Sequence, residues 1–211
     1  MTLQDGTTLG PYVIDGPIGR GTVGEVYRAR DPKLGRLVAL KVLSPDLAAH
    51  APAFDRFRRE ARTGGLLGHP NIAHVYDVGC HDGTPFVATE LLNGATLRAH
   101  LARGPLPVPM AIRFALEIAR GLAAAHETGV AHGDLKPENI FVTSEGGVKI
   151  LDFGLARPWT EALEVLQSDA SRGTEVVPVL GAIAYLSPEH VRGEEADDRS
   201  DIFSLGVIAY E

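Results

Sequence analysis

Four residues within about twenty positions of one another carry groups suited to phosphate chemistry: Asp134, Lys136, Asn139 and Asp152. A carboxylate can take a hydroxyl proton, an ammonium can meet a phosphate, and two oxygen donors can hold Mg²⁺; phosphoryl transfer needs those parts. They lie in His132-Gly133-Asp134-Leu135-Lys136-Pro137-Glu138-Asn139 and Asp152-Phe153-Gly154. The plainer alternative is an Asx-rich turn ahead of a hairpin, Asn139 to Val142 and Val148 to Leu151 around Glu145-Gly146-Gly147. That alternative explains the hairpin but not the joint presence of Lys41 and Glu60 upstream.

The preceding elements must position these groups. Tyr12-Val13-Ile14 reads as a strand, followed by Gly19-Arg20-Gly21-Thr22-Val23-Gly24. A dinucleotide-binding turn would open a helix at the glycines. Here Val26-Tyr27-Arg28-Ala29-Arg30 alternates like a strand and ends in the turn Asp31-Pro32-Lys33-Leu34-Gly35, which makes a hairpin lid instead. Glycines suit such a lid because backbone N–H groups must approach phosphates with no Cβ in the way. Leu37 to Val42 is a further strand; its Lys41 either faces solvent or reaches the site. Ala53 to Leu67 is predicted to be helical, with Phe54, Phe57, Ala61 and Gly64 on one face and Glu60 beside it. Glu60 would point toward Lys41, or pair with Arg56 on the surface. Gly64 and Gly65 should soften the helix end, each costing ~1 kcal/mol relative to Ala.

Strands are predicted for Ile72 to Val78 and Pro85 to Glu90, around the turn His81-Asp82-Gly83-Thr84. Pro109 to Thr128 should be a long helix, with Ile112, Leu116, Ala119, Leu122, Ala123 and His126 on one stripe and Gly129 as its cap. Leu155 to Leu180 is polar and lacks periodicity, and Asp201 to Val207 starts an apolar helix.

The totals limit the possibilities. The chain of 211 residues, 45% hydrophobic and 22% charged, is long enough for one domain or two small lobes. A net charge of −7 argues against nucleic acid or an anionic membrane as the main partner. One cysteine, Cys80, suits a reducing compartment, and the eight histidines show no zinc-type spacing. No run approaches the ~18 apolar residues of a membrane span, and the N-terminus lacks a signal-peptide pattern, so a cytoplasmic chain is expected.

The Asp134–Asn139 spacing and the triplet Asp152-Phe153-Gly154 resemble the catalytic loop and metal-binding motif of Ser/Thr protein kinases, the bacterial ones in particular. The resemblance runs from about residue 10 to 211. It implies an α+β, two-lobed protein-kinase-like fold: an N-lobe antiparallel sheet with one helix at 12–92, and a mostly helical partial C-lobe at 93–211. It implies ATP as phosphoryl donor, Mg²⁺ or Mn²⁺ as metal, and a protein Ser/Thr hydroxyl as acceptor. In that scheme Asp134 and Lys136 are catalytic, and Asn139 and Asp152 hold the metal. Gly19, Gly21 and Gly24 cover the phosphates, while Lys41, braced by Glu60, grips them. Val26, Ala39, Thr89 and Phe141 line the adenine pocket, and the backbone of Glu90 and Leu92 bonds the base. The Lys136 position favours Ser/Thr over Tyr as acceptor. Leu155 to Leu180 takes the place of the activation segment, closed by Ser187-Pro188-Glu189, and Asp201 braces the catalytic-loop backbone.

Three departures from the family pattern bear on activity. Gly133 stands where an arginine usually precedes the catalytic aspartate, so phosphate on Thr160, Ser168, Ser171 or Thr174 would find no cation there. Gly181-Ala182 replaces Gly-Thr, leaving Asp134 and Lys136 a hydrogen bond short and predicting a slow or narrowly selective enzyme. The chain ends inside an apolar helix at Glu211, as a C-terminally truncated catalytic domain would, which should expose Ile202, Phe203, Leu205, Val207 and Ile208. A nucleotide-binding pseudokinase is the main alternative function, and a small-molecule kinase of related fold a further one.

Overall fold

The computed structural model describes residues 3–21, 24–43, 65, 67–153 and 184–211. The helix expected over Ala53 to Leu67, with Glu60, and the segment carrying Thr160, Ser168, Ser171, Thr174 and Ala182 lie outside them, apart from Gly65 and Leu67.

The first half of the chain forms an antiparallel sheet of six strands: β1 (Thr8–Leu9), β2 (Tyr12–Gly21), β3 (Gly24–Asp31), β4 (Arg36–Leu43), β5 (Val75–His81) and β6 (Thr84–Glu90). Their order across the sheet is β1-β2-β3-β4-β6-β5. Strand parity assigns the faces. In β4, Val38 and Leu40 are fully buried with Tyr27, Ala29, Phe86 and Ala88, so Ala39 and Lys41 must face the other way. Directly paired residues share a face, and Lys41 is opposite both Val26 and Val87, while Ala39 is opposite Thr89. One face of the sheet is therefore core, and the other presents Val26, Ala39, Lys41 and Thr89 to the rest of the molecule.

β2 and β3 carry the glycines. The pairing runs through Gly19↔Val26, Arg20↔Glu25 and Gly21↔Gly24, with register irregularities after Ile14 and Pro17. The glycine stretch thus continues two strands and opens no helix, which removes the dinucleotide-binding alternative. Gly24 is demanded by space, since a Cβ there would lie 2.0 Å from the Val42 carbonyl oxygen. The β5–β6 turn puts Asp82 and Gly83 at φ 47° and 75°, the left-handed pair that a tight hairpin requires.

β5 starts at Val75, not at Ile72 as the apolar pattern suggested. Ile72 instead bridges Ile150, and the Ala73 N–H donates to the Ile150 carbonyl at 2.8 Å. The segment entering β5 is hydrogen-bonded to the second half of the chain.

That half contains β7 (Gly94–Thr96), α1 (Leu97–Leu101), α2 (Val108–His126), the hairpin β8 (Ile140–Thr143) and β9 (Val148–Ile150), α3 (Pro188–Val191) and α4 (Asp198–Tyr210). β7, which sequence did not suggest, pairs with β8. Its core gathers Phe114, Ile118 and Leu122 of α2 with Ile140, Ile150, Phe153 and Ile208. Burying each of the larger apolar side chains contributes roughly 1.5–3 kcal/mol.

The predicted stripe of α2 is corrected. Phe114, Ile118, Gly121, Leu122 and Ala125 face the core, while Ile112 and Leu116 are exposed. The helix has apolar residues on two sides; Leu122 of the predicted stripe is buried as expected, whereas Ile112 lines an apolar groove with Leu101, Leu106, Leu205 and Tyr210. Of the α4 residues expected to be exposed, Ile202 and Phe203 are, whereas Ile208 is buried and Leu205 and Val207 pack against the core. No helix among the described residues is long and apolar enough to cross a membrane.

Candidate active site

The loop before β8 is organised by one buried carboxylate. Asp201, in the first turn of α4, is 1% exposed. It accepts the N–H of His132 at 2.7 Å, the N–H of Gly133 at 2.8 Å and Nε2–H of His126 at 2.8 Å. A buried charge is tolerable only with such partners. Here they fix two consecutive peptides immediately before Asp134. Gly133 has φ 77°, in the left-handed region that glycine enters without a Cβ penalty.

His132 continues the bracing. Its Nδ1 accepts the Asp134 N–H at 3.1 Å and its Nε2 faces the Leu151 carbonyl at 2.9 Å, so the ring proton sits on Nε2. Its ring meets Phe153 edge-on, with centroids 4.9 Å apart. One side chain therefore joins the loop to the residues preceding and following Asp152.

With the backbone set, the side chains converge. Lys136 Nζ lies 2.5 Å from Asp134 Oδ2. Asn139 donates from Nδ2 to the Asp134 carbonyl at 2.8 Å and to Asp134 Oδ2 at 3.3 Å, while its own carbonyl accepts the Leu151 N–H at 2.8 Å. Because the amide nitrogen is engaged with Asp134, the amide oxygen is the atom Asn139 can offer a cation. Asp152 is held at φ 59°, a conformation costing on the order of 1–3 kcal/mol in a residue other than glycine. Its Oδ2 receives Lys41 Nζ at 2.7 Å, and these side chains are 25% and 15% exposed. Lys41 is therefore not a solvent-facing strand residue; it reaches from the first sheet to the second half of the chain.

The remaining predicted residues fall into two groups. Gly19, Gly21 and Gly24 lie on the β2–β3 hairpin, and Val26, Ala39 and Thr89 share the sheet face with Lys41. Thr89 Oγ1 is 3.5 Å from the Ala39 carbonyl. Glu90 ends β6, Leu92 follows it, and Phe141 lies on β8 opposite Thr96 and Lys149. Glu60 is outside the described residues, as is Gly154.

The metal question can be tested on donor chemistry. No cluster of three or more His, Cys, Asp or Glu able to hold a metal occurs among the described residues. One carboxylate, Asp152, and one amide oxygen, Asn139, are hard donors too few for a closed protein cage. They suit Mg²⁺, which keeps waters and substrate phosphates in its coordination sphere.

Sequence reasoning missed several contacts around this centre. Helical spacing puts His126 on the apolar stripe of α2, yet it bonds Asp201. Asn71 Nδ2 donates to the Val148 carbonyl at 2.8 Å, and Glu117 Oε2 accepts the Val148 N–H at 2.7 Å, pinning β9 to α2 and to the segment entering β5. Arg98 of α1 bonds Glu138 Oε1 at 2.8 Å, Glu211 Oε1 at 2.5 Å and the Tyr185 hydroxyl. Burial, then the neighbouring Glu211 carboxylate, raises the Tyr185 phenol above its ordinary pKa. Glu189 accepts from Ser200 Oγ, which holds its carboxyl below the usual range. Each partner is distant in sequence, so no local spacing signalled it.

Comparison with known proteins agrees with this geometry. A family model described as the protein kinase domain matches residues 12–211. The serine/threonine-protein kinase PknL of Mycobacterium tuberculosis is 42% identical over 201 residues, covering 95% of this chain and 48% of that protein. The serine/threonine-protein kinase PknB of Mycobacterium leprae is 40% identical over 205 residues, covering 95% of this chain and 32% of that protein. The crystal structure of the M. tuberculosis PknI kinase domain superposes with a TM-score of 0.78 at 31% identity, covering 99% of this chain and 74% of that one. The chain spans about a third to a half of the length of these curated relatives. With a kinase-domain match from Tyr12 to Glu211 and relatives at this identity, the chain belongs to the protein kinase family, on the side of the bacterial Ser/Thr kinases.

Proposed function

We propose that this protein transfers the γ-phosphoryl group of ATP to Ser/Thr hydroxyls of a protein substrate, with Mg²⁺ as the working metal. The observation that carries the reading is the Lys41–Asp152 contact at 2.7 Å. It joins the strand under the glycine hairpin to the second residue after β9, beside a loop in which Asp134 is already bonded by Lys136 and Asn139.

The roles follow from chemical type. Asp134 accepts the hydroxyl proton as the substrate oxygen forms its bond to phosphorus and the bond from phosphorus to the ADP oxygen breaks. Lys136, now paired with Asp134, is placed to neutralise charge on the transferring group. Lys41 would exchange part of its contact with Asp152 for nucleotide phosphates, and the glycine hairpin brings backbone N–H groups over them. Asp152 and Asn139 would hold Mg²⁺, which would supply charge neutralisation on the phosphates. The unbranched face at Ala39 leaves room for the adenine ring, and the backbone of Glu90 and Leu92 offers it hydrogen bonds. Residues 12–92 and 93–211 act as the two lobes around the nucleotide. Gly133 carries no charge, so an activation-segment phosphate has no partner at that position. The family pattern has threonine where Ala182 stands, and without that hydroxyl we expect Asp134 and Lys136 to be one hydrogen bond short and turnover to be slow.

Transfer of label from [γ-³²P]ATP to Ser/Thr peptides tests the reading, with Asp134→Asn and Lys41→Met beside the wild type. Either variant should lower the rate by about 10²–10⁴-fold. Equal label from wild type and Asp134→Asn would remove the mechanism, and no label from wild type would favour a nucleotide-binding module without transfer.

A further inference from the structure

β6 ends at Glu90, and the connection to β7 runs through Leu91, Leu92 and Asn93. Behind that connection lies an ion pair that the transfer mechanism does not use. Lys149 Nζ is 2.7 Å from Glu90 Oε1, with side chains 22% and 19% exposed. The same oxygen accepts the His74 N–H at 2.8 Å, and the Glu90 N–H donates to the His74 carbonyl at 3.0 Å. Lys149 Nζ also approaches the Ile72 carbonyl at 3.5 Å.

Lys149 belongs to a strand anchored in the other core. Its neighbours Val148 and Ile150 are 1% and 0% exposed, and strand parity sends Lys149 alone to the opposite side. β9 is tied to the segment entering β5 by Ile150 N–H to the Asn71 carbonyl and Ala73 N–H to the Ile150 carbonyl, each at 2.8 Å. Glu90 is thus gripped by main chain on one side and by a cation fixed to the second core on the other.

We propose that Lys149 is a positioning residue for nucleotide: through Glu90 it fixes the orientation of the peptides that receive the adenine. The inference rests on the reading above, in which the backbone of Glu90 and Leu92 bonds the base. Backbone donors and acceptors cannot be tuned by residue type, so their aim must come from side chains that restrain the peptide. A largely buried ion pair between two separately packed cores provides that restraint, because each partner is immobilised by its own strand. Once the pair is broken, the peptides at Glu90 to Leu92 sample orientations in which the base is poorly bonded, and affinity falls by the competent fraction.

The test compares Lys149→Met, Lys149→Arg, Glu90→Gln and the Lys149→Met/Glu90→Gln double variant, by steady-state transfer and by calorimetric titration with Mg-ADP. Lys149→Met should raise KM for ATP and Kd for ADP about five- to tenfold, with kcat within about twofold of wild type. Lys149→Arg, which keeps the charge, should restore both constants to within about twofold. Glu90→Gln should match Lys149→Met, and the double variant should be no weaker than either single one. An unchanged ADP affinity in Lys149→Met would overturn the proposal. So would a fall in kcat at constant KM, the mark of partial unfolding, or single effects that multiply in the double variant. If wild type transfers no label, the kinase reading fails separately and the calorimetric arm still decides the role of Lys149.

Discussion

The sheet face carrying Val26, Ala39, Lys41 and Thr89 and the loop carrying Asp134, Lys136 and Asn139 reach order by different physical routes. On the sheet, position follows from strand register: once Val38 and Leu40 enter the core, Ala39 and Lys41 have one direction left. Little side-chain bonding is needed, and the glycines serve by leaving space. The loop has no such lattice. Its residues are held by side-chain-to-backbone bonds that converge on Asp201 and His132, both nearly inaccessible to water. The sheet should therefore tolerate changes that keep parity, whereas the loop should fail when a single buried anchor is lost.

After Asp134 itself, the largest effect is expected at Asp201. Asp201→Ala leaves the His132 and Gly133 N–H groups and the His126 ring without their acceptor, around a carboxylate that is itself buried. Breaking a buried charged network of this kind costs about 3–5 kcal/mol. Urea unfolding followed by circular dichroism should show that loss, with the midpoint displaced and the slope retained. A change below about 1 kcal/mol would mean that the loop is held by other contacts and that the contrast with the sheet is misplaced.

A smaller effect is expected on the sheet, at Gly24. The Val42 carbonyl would sit 2.0 Å from a new Cβ, so Gly24→Ala must push β3 from β4 near the lid. Overpacking costs about 1–3 kcal/mol. Because the displaced backbone belongs to the hairpin proposed to cover the phosphates, KM for ATP should rise more than kcat falls. Gly19→Ala, where a Cβ would meet nothing within 4 Å, should change far less. Equal consequences at Gly19 and Gly24 would show that close approach is not what Gly24 provides.

How much could be read from the sequence follows the same division. The strands of the first sheet, the glycine hairpin and the meeting of Asp134, Lys136 and Asn139 were legible, because alternation and short motifs are local. What failed was non-local. Ile72 has the composition of a strand residue, but it bridges Ile150, which its neighbours Asn71 and Ala73 bond, on the far side of the loop carrying Asp134. The buried side of α2 was misjudged because Ile112 and Leu116 are as apolar as Phe114 and Ile118, and only the position of β9 decides between them. Lys149 appeared as the polar member of a Val-Lys-Ile strand, and nothing near it pointed to Glu90. Asp201 was placed correctly through the family resemblance, while its contact to His126 required the packing of α2 on α4.

The smallest effect separates the two left-handed residues of the site. Asp152 holds φ 59° with a Cβ and is bonded to Lys41; Gly133 holds φ 77° with none. The glycine gives the loop a turn without strain and, at the same position, offers no cation to a phosphate on the stretch 155–180. Gly133→Ala isolates the first property and should destabilise the fold by about 1–2 kcal/mol, read from the urea midpoint. Gly133→Arg carries the same backbone cost and adds the charge. Glutamate at Thr160, Ser168, Ser171 or Thr174 should therefore leave the rate of the wild type unchanged and raise that of Gly133→Arg. Activation by glutamate in the wild type would show that another cation receives the phosphate. An Ala variant as stable as wild type would show that Asp201 alone imposes the turn, whatever residue occupies it.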